Sequence, residues 1–151
     1  MTTTAATPTA PAADSRVLGL AHYAARGVLE HVLARHGVTF RHQIVLRAAT
    51  TDVPQTPDDV VTQVRSSLKA DPVDIRAILD ELLARQLLVK DAAYLRPTDA
   101  GRELLAAVGA EVAPISARIW YGIPAEDLAA AGRVLALVTE RANAELAALT
   151  T

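Results

Sequence analysis

Four side chains that suit binding to phosphate occur within five positions of the sequence. Arg65 and Lys69 carry positive charge, and Ser66 and Ser67 carry hydroxyl groups. Contacts of this kind position a protein on nucleic acid without reading its base sequence. An ordinary solvated turn is the alternative interpretation. We favour phosphate contacts, because an ordinary turn does not need four such residues.

Arg76 is a candidate for reading a base. It is predicted to lie on the exposed side of the first turns of a helix, where base-edge contacts are made. An arginine there can bridge the two acceptors of a guanine. The alternative is an ion pair with Asp80, four residues later, which stabilises a helix by only a few tenths of a kcal/mol. The sequence leaves both open. The other residues of the predicted DNA-binding surface are Val73, Asp74, Ala77 and Arg96.

Two helices that begin with proline must position these side chains. Thr56-Pro57-Asp58-Asp59 and Asp71-Pro72-Val73-Asp74 share a capping residue, a proline and an acid in the first turn. The cap accepts a free amide hydrogen, proline lacks a donor that would have no partner, and the acid complements the helix dipole. The sequence therefore predicts a short helix, a turn at 66–70 and a second helix. Its predicted buried face comprises Ile75, Ile78, Leu79, Leu82, Leu83 and Gln86.

Short apolar segments after the second helix predict a small hairpin. Leu87–Val89 and Tyr94–Arg96 are the two strands, and Asp91-Ala92-Ala93 is the tip. Helix, turn, helix and hairpin are the outline of a winged DNA-binding domain. The fold class is thus predicted as mainly α, a winged helix-turn-helix with a small β-hairpin wing, flanked by N- and C-terminal dimerisation helices.

The bulk composition fits one helical domain. The chain has 151 residues, is 51 % hydrophobic but only 3 % aromatic, and carries a net charge of −2. Cysteine is absent, which suits a reducing cytoplasm and excludes cysteine-based metal sites. The Thr/Ala/Pro composition predicts a disordered tail over 1–13, followed by a single domain over 14–151. No segment reaches the roughly 20 apolar residues that span a bilayer.

The remaining helices are predicted at the two ends of the domain. The first runs from Ser15 to about His36, and Thr39 caps a helix that ends near Ala49. A later helix begins near Thr98 and is expected to kink or break at Pro114. The last helix covers 125–149 and has an apolar stripe close to the seven-residue spacing of paired helices. Such terminal helices need a partner, so segments 14–37 and 103–149 are predicted to form a homodimer around a winged helix-turn-helix at 38–102.

The order of several motifs resembles the MarR family of bacterial transcriptional regulators. The similar segments are Gly37-Val38-Thr39 leading into Gln43–Arg47, Leu82–Val89, Thr98-Asp99-Ala100-Gly101-Arg102 and Tyr121–Asp127. The resemblance spans about residues 15–149 and implies a homodimer that presents a recognition helix to the major groove of an operator and a wing to the minor groove. It also implies release from DNA by a small aromatic or anionic effector.

Two features depart from that family. The wing is short and Arg96 is its only arginine. The recognition helix is acidic: between Asp71 and Gln86 it has four acids against Arg76 and Arg85, and acids repel phosphate. These departures support an alternative, in which the dimer has weak or lost DNA binding and acts as a small-molecule or protein-interaction module.

By analogy with the family, an effector would contact aromatic, histidine and arginine side chains. The predicted ligand residues are His22, Tyr23, Arg26, His42 and Trp120. The aromatic residues also suit core or dimer-interface anchors, and this is the interpretation we favour. Histidines 22, 31, 36 and 42 lack the spacing of a zinc site within one helix. The sequence has no phosphate-binding glycine loop, nucleophile elbow or His-Glu-x-x-His motif. We therefore predict a protein with no enzymatic activity, metal or cofactor.

Overall fold

The computed structural model describes residues 10–150 and is built mainly of helices. The predicted tail over 1–13 lies mostly outside these residues; 10–13 are exposed and have no regular structure. Six helices and one antiparallel hairpin are described, which confirms the predicted fold class. In chain order they are α1 Ser15–Arg35, α2 Phe40–Ala49, α3 Pro57–Leu68, α4 Pro72–Ala84, β1 Leu88–Asp91, β2 Tyr94–Pro97, α5 Asp99–Trp120 and α6 Ala125–Leu149.

Side-chain caps fix where the first four helices begin. Asp14 accepts a hydrogen bond from the Val17 amide at 2.8 Å, and Thr39 accepts one from the His42 amide. At the start of α2 the His42 ring completes a reciprocal cap, because its Nδ1 accepts the Thr39 amide hydrogen at 3.1 Å. After α1 and its C-cap residue His36, Gly37 adopts a positive φ of 67°, a conformation that glycine takes without steric cost. The predicted cap at Thr39 is confirmed.

The contacts divide the chain into two compact units, with the boundary after Val112 in α5. Aliphatic side chains from α1 to α5 form the core of the first unit, and those that are almost fully buried are Leu33, Leu46, Ile75, Leu82, Leu88, Val32, Val45, Val60, Val64 and Val108. In the second unit, none of the residues Ala125–Leu149 is buried within the described chain. The two units therefore differ sharply in how much apolar surface they bury.

Three sequence predictions need correction. α5 is not broken at Pro114, since it continues to Trp120; the proline removes one backbone donor, and the other turns of a 22-residue helix keep their bonds. Gln86 is exposed rather than buried, because α4 ends at Ala84 and Gln86 adopts a left-handed φ of 57°. The first part of the predicted 66–70 turn is still helical, because α3 extends to Leu68.

The end of α1 is tied to α5 by one carboxylate. Glu111 accepts a hydrogen bond from His36 Nε2 at 2.7 Å and pairs with the guanidinium of Arg35. The hydrogen bond from His36 lowers the pKa of Glu111, and the charge of Arg35 adds to this against the effect of partial burial. Folding therefore favours the ionised form of Glu111.

We expect Glu111→Gln to lower the melting temperature at neutral pH. Because the folded pKa lies below the ordinary value of 4.5, the carboxylate stabilises the fold above about pH 4.5 and ceases to do so as the pH falls through the lowered pKa. The gap between wild type and variant should therefore close in acid. Glu103→Gln, an exposed change on the same helix, is the control. A gap that persists unchanged at low pH would show that Glu111 acts through packing instead.

Candidate nucleic-acid interface

Helices α3 and α4 form the predicted helix-turn-helix, and both begin at the predicted caps. Thr56 and Asp59 cap each other: Thr56 Oγ1 accepts the Asp59 amide hydrogen, and Asp59 accepts the Thr56 amide hydrogen at 2.9 Å. Hydrogen bonds from the Thr56 amide and hydroxyl lower the pKa of Asp59. At the next helix, Asp71 accepts the Val73 amide hydrogen at 2.8 Å. Local capping thus sets where each helix of the motif begins.

The predicted phosphate-binding residues lie together at the end of α3. Arg65, Ser66, Ser67 and Lys69 are all exposed. Lys69 ends the helix in a left-handed conformation with φ 52°, and its ammonium group donates to the Ser66 carbonyl. The Ser67 hydroxyl donates to carbonyls of the preceding turn, which leaves it as an acceptor. Arg65 has no ion-pair partner among residues 10–150. The two cations and Ser66 are therefore the groups best placed to meet a phosphate.

The outward face of α4 carries the predicted base-reading residues. Val73, Asp74, Arg76 and Ala77 are exposed, whereas Ile75, Leu79 and Leu82 are buried. Neither interpretation of Arg76 anticipated its contact, since its guanidinium pairs with Asp58 of α3 at 2.7 Å and not with Asp80. Asp74 lies 3.7 Å from the guanidinium of Arg41 on α2. Each of these two arginines thus offsets the charge of an exposed aspartate on α3 or α4.

The wing is a hairpin of two four-residue strands, in which Val89 pairs with Arg96 and Lys90 pairs with Leu95. Arg96 is held by Asp91 of the facing strand at 2.6 Å. Lys90 is exposed and has no ion-pair partner in the described part of the chain. The sequence analysis did not name Lys90 as a candidate for phosphate contact, although its positive charge within the predicted hairpin could have indicated one. It also missed the isolated bridge between Gln55 and Leu95, which ties the α2–α3 loop to the wing.

The residues predicted to bind an effector are divided between the two units: Trp120 lies in the second unit and the others lie in the first. His22 and Tyr23 contact each other edge to face, and Arg26 pairs with Glu30 and lies over the Phe40 ring. His42 Nε2 bonds Glu81 of α4 at 2.7 Å. Trp120 is 57 % exposed in the second unit.

A cleft of about 260 Å³ lies between the α2–α3 loop, β2 and the start of α5. It is lined by other residues, among them Thr51, Asp52, Tyr94, Arg96 and Arg102. Within residues 10–150, no group of three His, Cys, Asp or Glu side chains is arranged to hold a metal ion. Over the same range, no helix combines the length and the apolar character that crossing a membrane requires.

A helix-turn-helix followed by a two-stranded hairpin, set between long helices, defines a winged helix-turn-helix protein. Solved structures show that this arrangement is the fold of MarR family regulators. A MarR family transcriptional regulator from Rhodococcus sp. RHA1 has 23 % sequence identity and a TM-score of 0.66, covering 82 % of this chain and 91 % of its own.

Two further structures share the fold at lower identity. Staphylococcus aureus MarR in complex with salicylate and kanamycin has a TM-score of 0.72 at 16 % identity, over 86 % of this chain and 90 % of that protein. A Mycobacterium tuberculosis MarR family protein in complex with DNA has a TM-score of 0.65 at 17 % identity, over 85 % of this chain and 98 % of that one. No protein-family profile matches the sequence, and no curated protein matches it either.

Proposed function

We propose that this chain is a cytoplasmic, homodimeric transcriptional regulator that binds a roughly palindromic operator and has no enzymatic role. The observation that carries the proposal is the helix-turn-helix itself. It exposes the first turn of α4, and the segment just before that turn carries Arg65 near the end of α3 and Lys69 at its C-cap. The first turn of a recognition helix contacts bases, and nearby cations bind the phosphates. The structure of a MarR family protein in complex with DNA supports the same use of this fold.

Dimerisation is proposed from the apolar surface of the second unit. Val134, Leu135, Leu137 and Val138 are between 44 % and 49 % exposed along α6. A patch of this kind on a helix marks a protein interface. A two-fold dimer would place two recognition helices on two half-sites, which accounts for a palindromic operator.

A small aromatic or anionic effector is proposed to release the dimer from DNA. Support comes from Staphylococcus aureus MarR, which was solved with salicylate. The residues proposed to meet such a molecule are His22, Tyr23, Arg26, His42 and Trp120. A panel of aromatic acids tests this part: a compound that raises the melting temperature and weakens DNA binding would support it. No thermal shift with any member would contradict it.

The experiment that tests the proposal is binding of the purified protein to fluorescent DNA from its own upstream region. It is run at two salt concentrations, beside a scrambled duplex of the same composition. Tight binding that prefers the upstream region supports a regulator, and the salt slope counts the phosphates that are neutralised. A folded dimer that binds neither duplex at low salt would contradict it.

Separate roles are expected for the two kinds of contact. Lys69→Ala should weaken binding to both duplexes and reduce the salt slope by about 1. Arg76→Ala should weaken binding to the upstream region about tenfold, with little effect on the scrambled duplex. Arg47→Ala, an exposed change on α2 outside both the proposed DNA-binding and dimer surfaces, is the control that removes a cation elsewhere. If both changes affected both duplexes equally, the assignment of roles would be wrong.

The second candidate function is a dimeric interaction module with weak or lost DNA binding. Two observations favour it: Arg76 and Arg96, the arginines best placed to contact bases and the minor groove, are each paired with an aspartate at 2.7 Å and 2.6 Å. These pairs are exposed, and exposed pairs contribute at most about 1 kcal/mol. A phosphate or a guanine can therefore replace the aspartate, which is why we prefer the regulator.

A further inference from the structure

An apolar stripe lies uncovered on the face of α4 that is proposed to meet DNA. Val73 is 73 % exposed, and Ala77, one helical turn later, is exposed as well. Residues four apart lie above one another on a helix. The opposite side of the same helix is occupied by Ile75 and Leu79, which are buried. Val73 and Ala77 are therefore the apolar part of the recognition surface and not part of the core.

The polar groups around this stripe are engaged with the protein. Asp71 accepts the Val73 amide hydrogen at 2.8 Å. The Asp74 carboxylate faces Arg41, and the Arg76 guanidinium faces Asp58. The methyl groups of Val73 are thus free to contact a base edge without first breaking an interaction.

We infer that Val73 contacts the 5-methyl group of a thymine in each operator half-site, an assignment that rests on the proposed function. The thymine methyl is the one apolar group on the major-groove edge of the base pairs. A valine side chain has no donor or acceptor, so it distinguishes bases only through this methyl. The side chain of Ala77 is a single methyl group, too small to keep α4 out of the major groove. The operator is accordingly expected to carry a required thymine at equivalent positions in both half-sites.

The inference is tested with two duplexes of the upstream region, one prepared with thymine and one with uracil throughout. Uracil pairs as thymine does and lacks only the 5-methyl group. Wild-type protein should bind the uracil duplex about fourfold more weakly for each contacted methyl group that is removed, or roughly fifteenfold for two half-sites. Val73→Ala should bind the thymine duplex more weakly than wild type and should not distinguish the two duplexes.

A matched control is available in Val53→Ala. Val53 is 66 % exposed and lies in the α2–α3 loop, outside the helix-turn-helix, so this variant should retain the wild-type ratio. Equal binding of both duplexes by wild type would overturn the inference while leaving the proposed regulator intact. If Val73→Ala still bound the thymine duplex more tightly than the uracil duplex, the methyl contact could not be assigned to Val73. Failure to bind either duplex would remove the proposed function and the inference with it.

Discussion

Replacing Gly101 with alanine is expected to lower the free energy of unfolding by about 3 kcal/mol, the upper part of the range for overpacked sites. A Cβ atom at this position would lie 2.2 Å from the backbone carbonyl oxygen of Leu87. That oxygen also accepts the Thr98 amide hydrogen, so it cannot move away freely. The Thr98 hydroxyl further bonds the Gln86 carbonyl at 2.6 Å and accepts the Gly101 amide hydrogen. Urea denaturation followed by circular dichroism measures the loss.

Gly109→Ala is the matched control for this change. Gly109 lies on the same helix, is exposed, and has no atom within 4 Å of the position of its added Cβ. Alanine there should stabilise the protein by about 0.5–1 kcal/mol, because glycine is the poorer helix former. If Gly101→Ala lowers the free energy of unfolding and Gly109→Ala raises it, the loss at Gly101 comes from the contact with Leu87. A mild effect at Gly101 would show that α5 can shift away from the hairpin.

Introducing a charge into the proposed dimer surface is the second large effect that we expect. Leu135 is 45 % exposed on α6, and Leu135→Glu should raise the dimer dissociation constant at least about 100-fold. Each subunit loses the burial of the exposed part of a leucine, worth about 1 kcal/mol, and also places a carboxylate in an apolar surface, which adds a desolvation cost. In a two-fold dimer both effects occur twice. Sedimentation equilibrium of wild type and variant gives the two constants.

The control for the dimer experiment is Ala129→Glu. This change adds the same charge on the other side of α6, since positions 129 and 135 are separated by about 120° around the helix axis. It should leave the dimer intact. If both substitutions weakened the dimer equally, the exposed apolar residues of α6 around Leu135 would not be the interface. A monomeric wild-type protein would contradict the proposed homodimer directly.

Features that depend on a few adjacent residues were predictable from the sequence. The caps at Thr39, Thr56 and Asp71, and hence the starts of three helices, follow from hydrogen bonds within one turn. The bounds of α6 also agree with the predicted 125–149, because a glycine-proline turn precedes it. The order of the helices and the hairpin then follows from these boundaries.

Contacts between distant segments were not predictable in the same way. Asp58 is separated from Arg76 by 18 residues, and only the packing of α3 against α4 brings them together. The same holds for Arg41 beside Asp74 and for His42 beside Glu81. The resemblance identified Thr98 and Gly101 as a motif, but the reason for the glycine, its approach to Leu87, is visible only in three dimensions. Which residues bind DNA or an effector stays a prediction.

At Lys69, folding stability and the proposed function make opposite demands. The residue ends α3 with φ 52°, a conformation that costs a residue with a Cβ about 1 kcal/mol and costs glycine almost nothing. Glycine would suit the backbone better, but it would remove a cation from the turn that is proposed to meet the phosphate backbone. Selection of this protein for thermal resistance alone would therefore tend to replace Lys69 and erode its affinity for DNA. Any stabilising library should hold this position fixed.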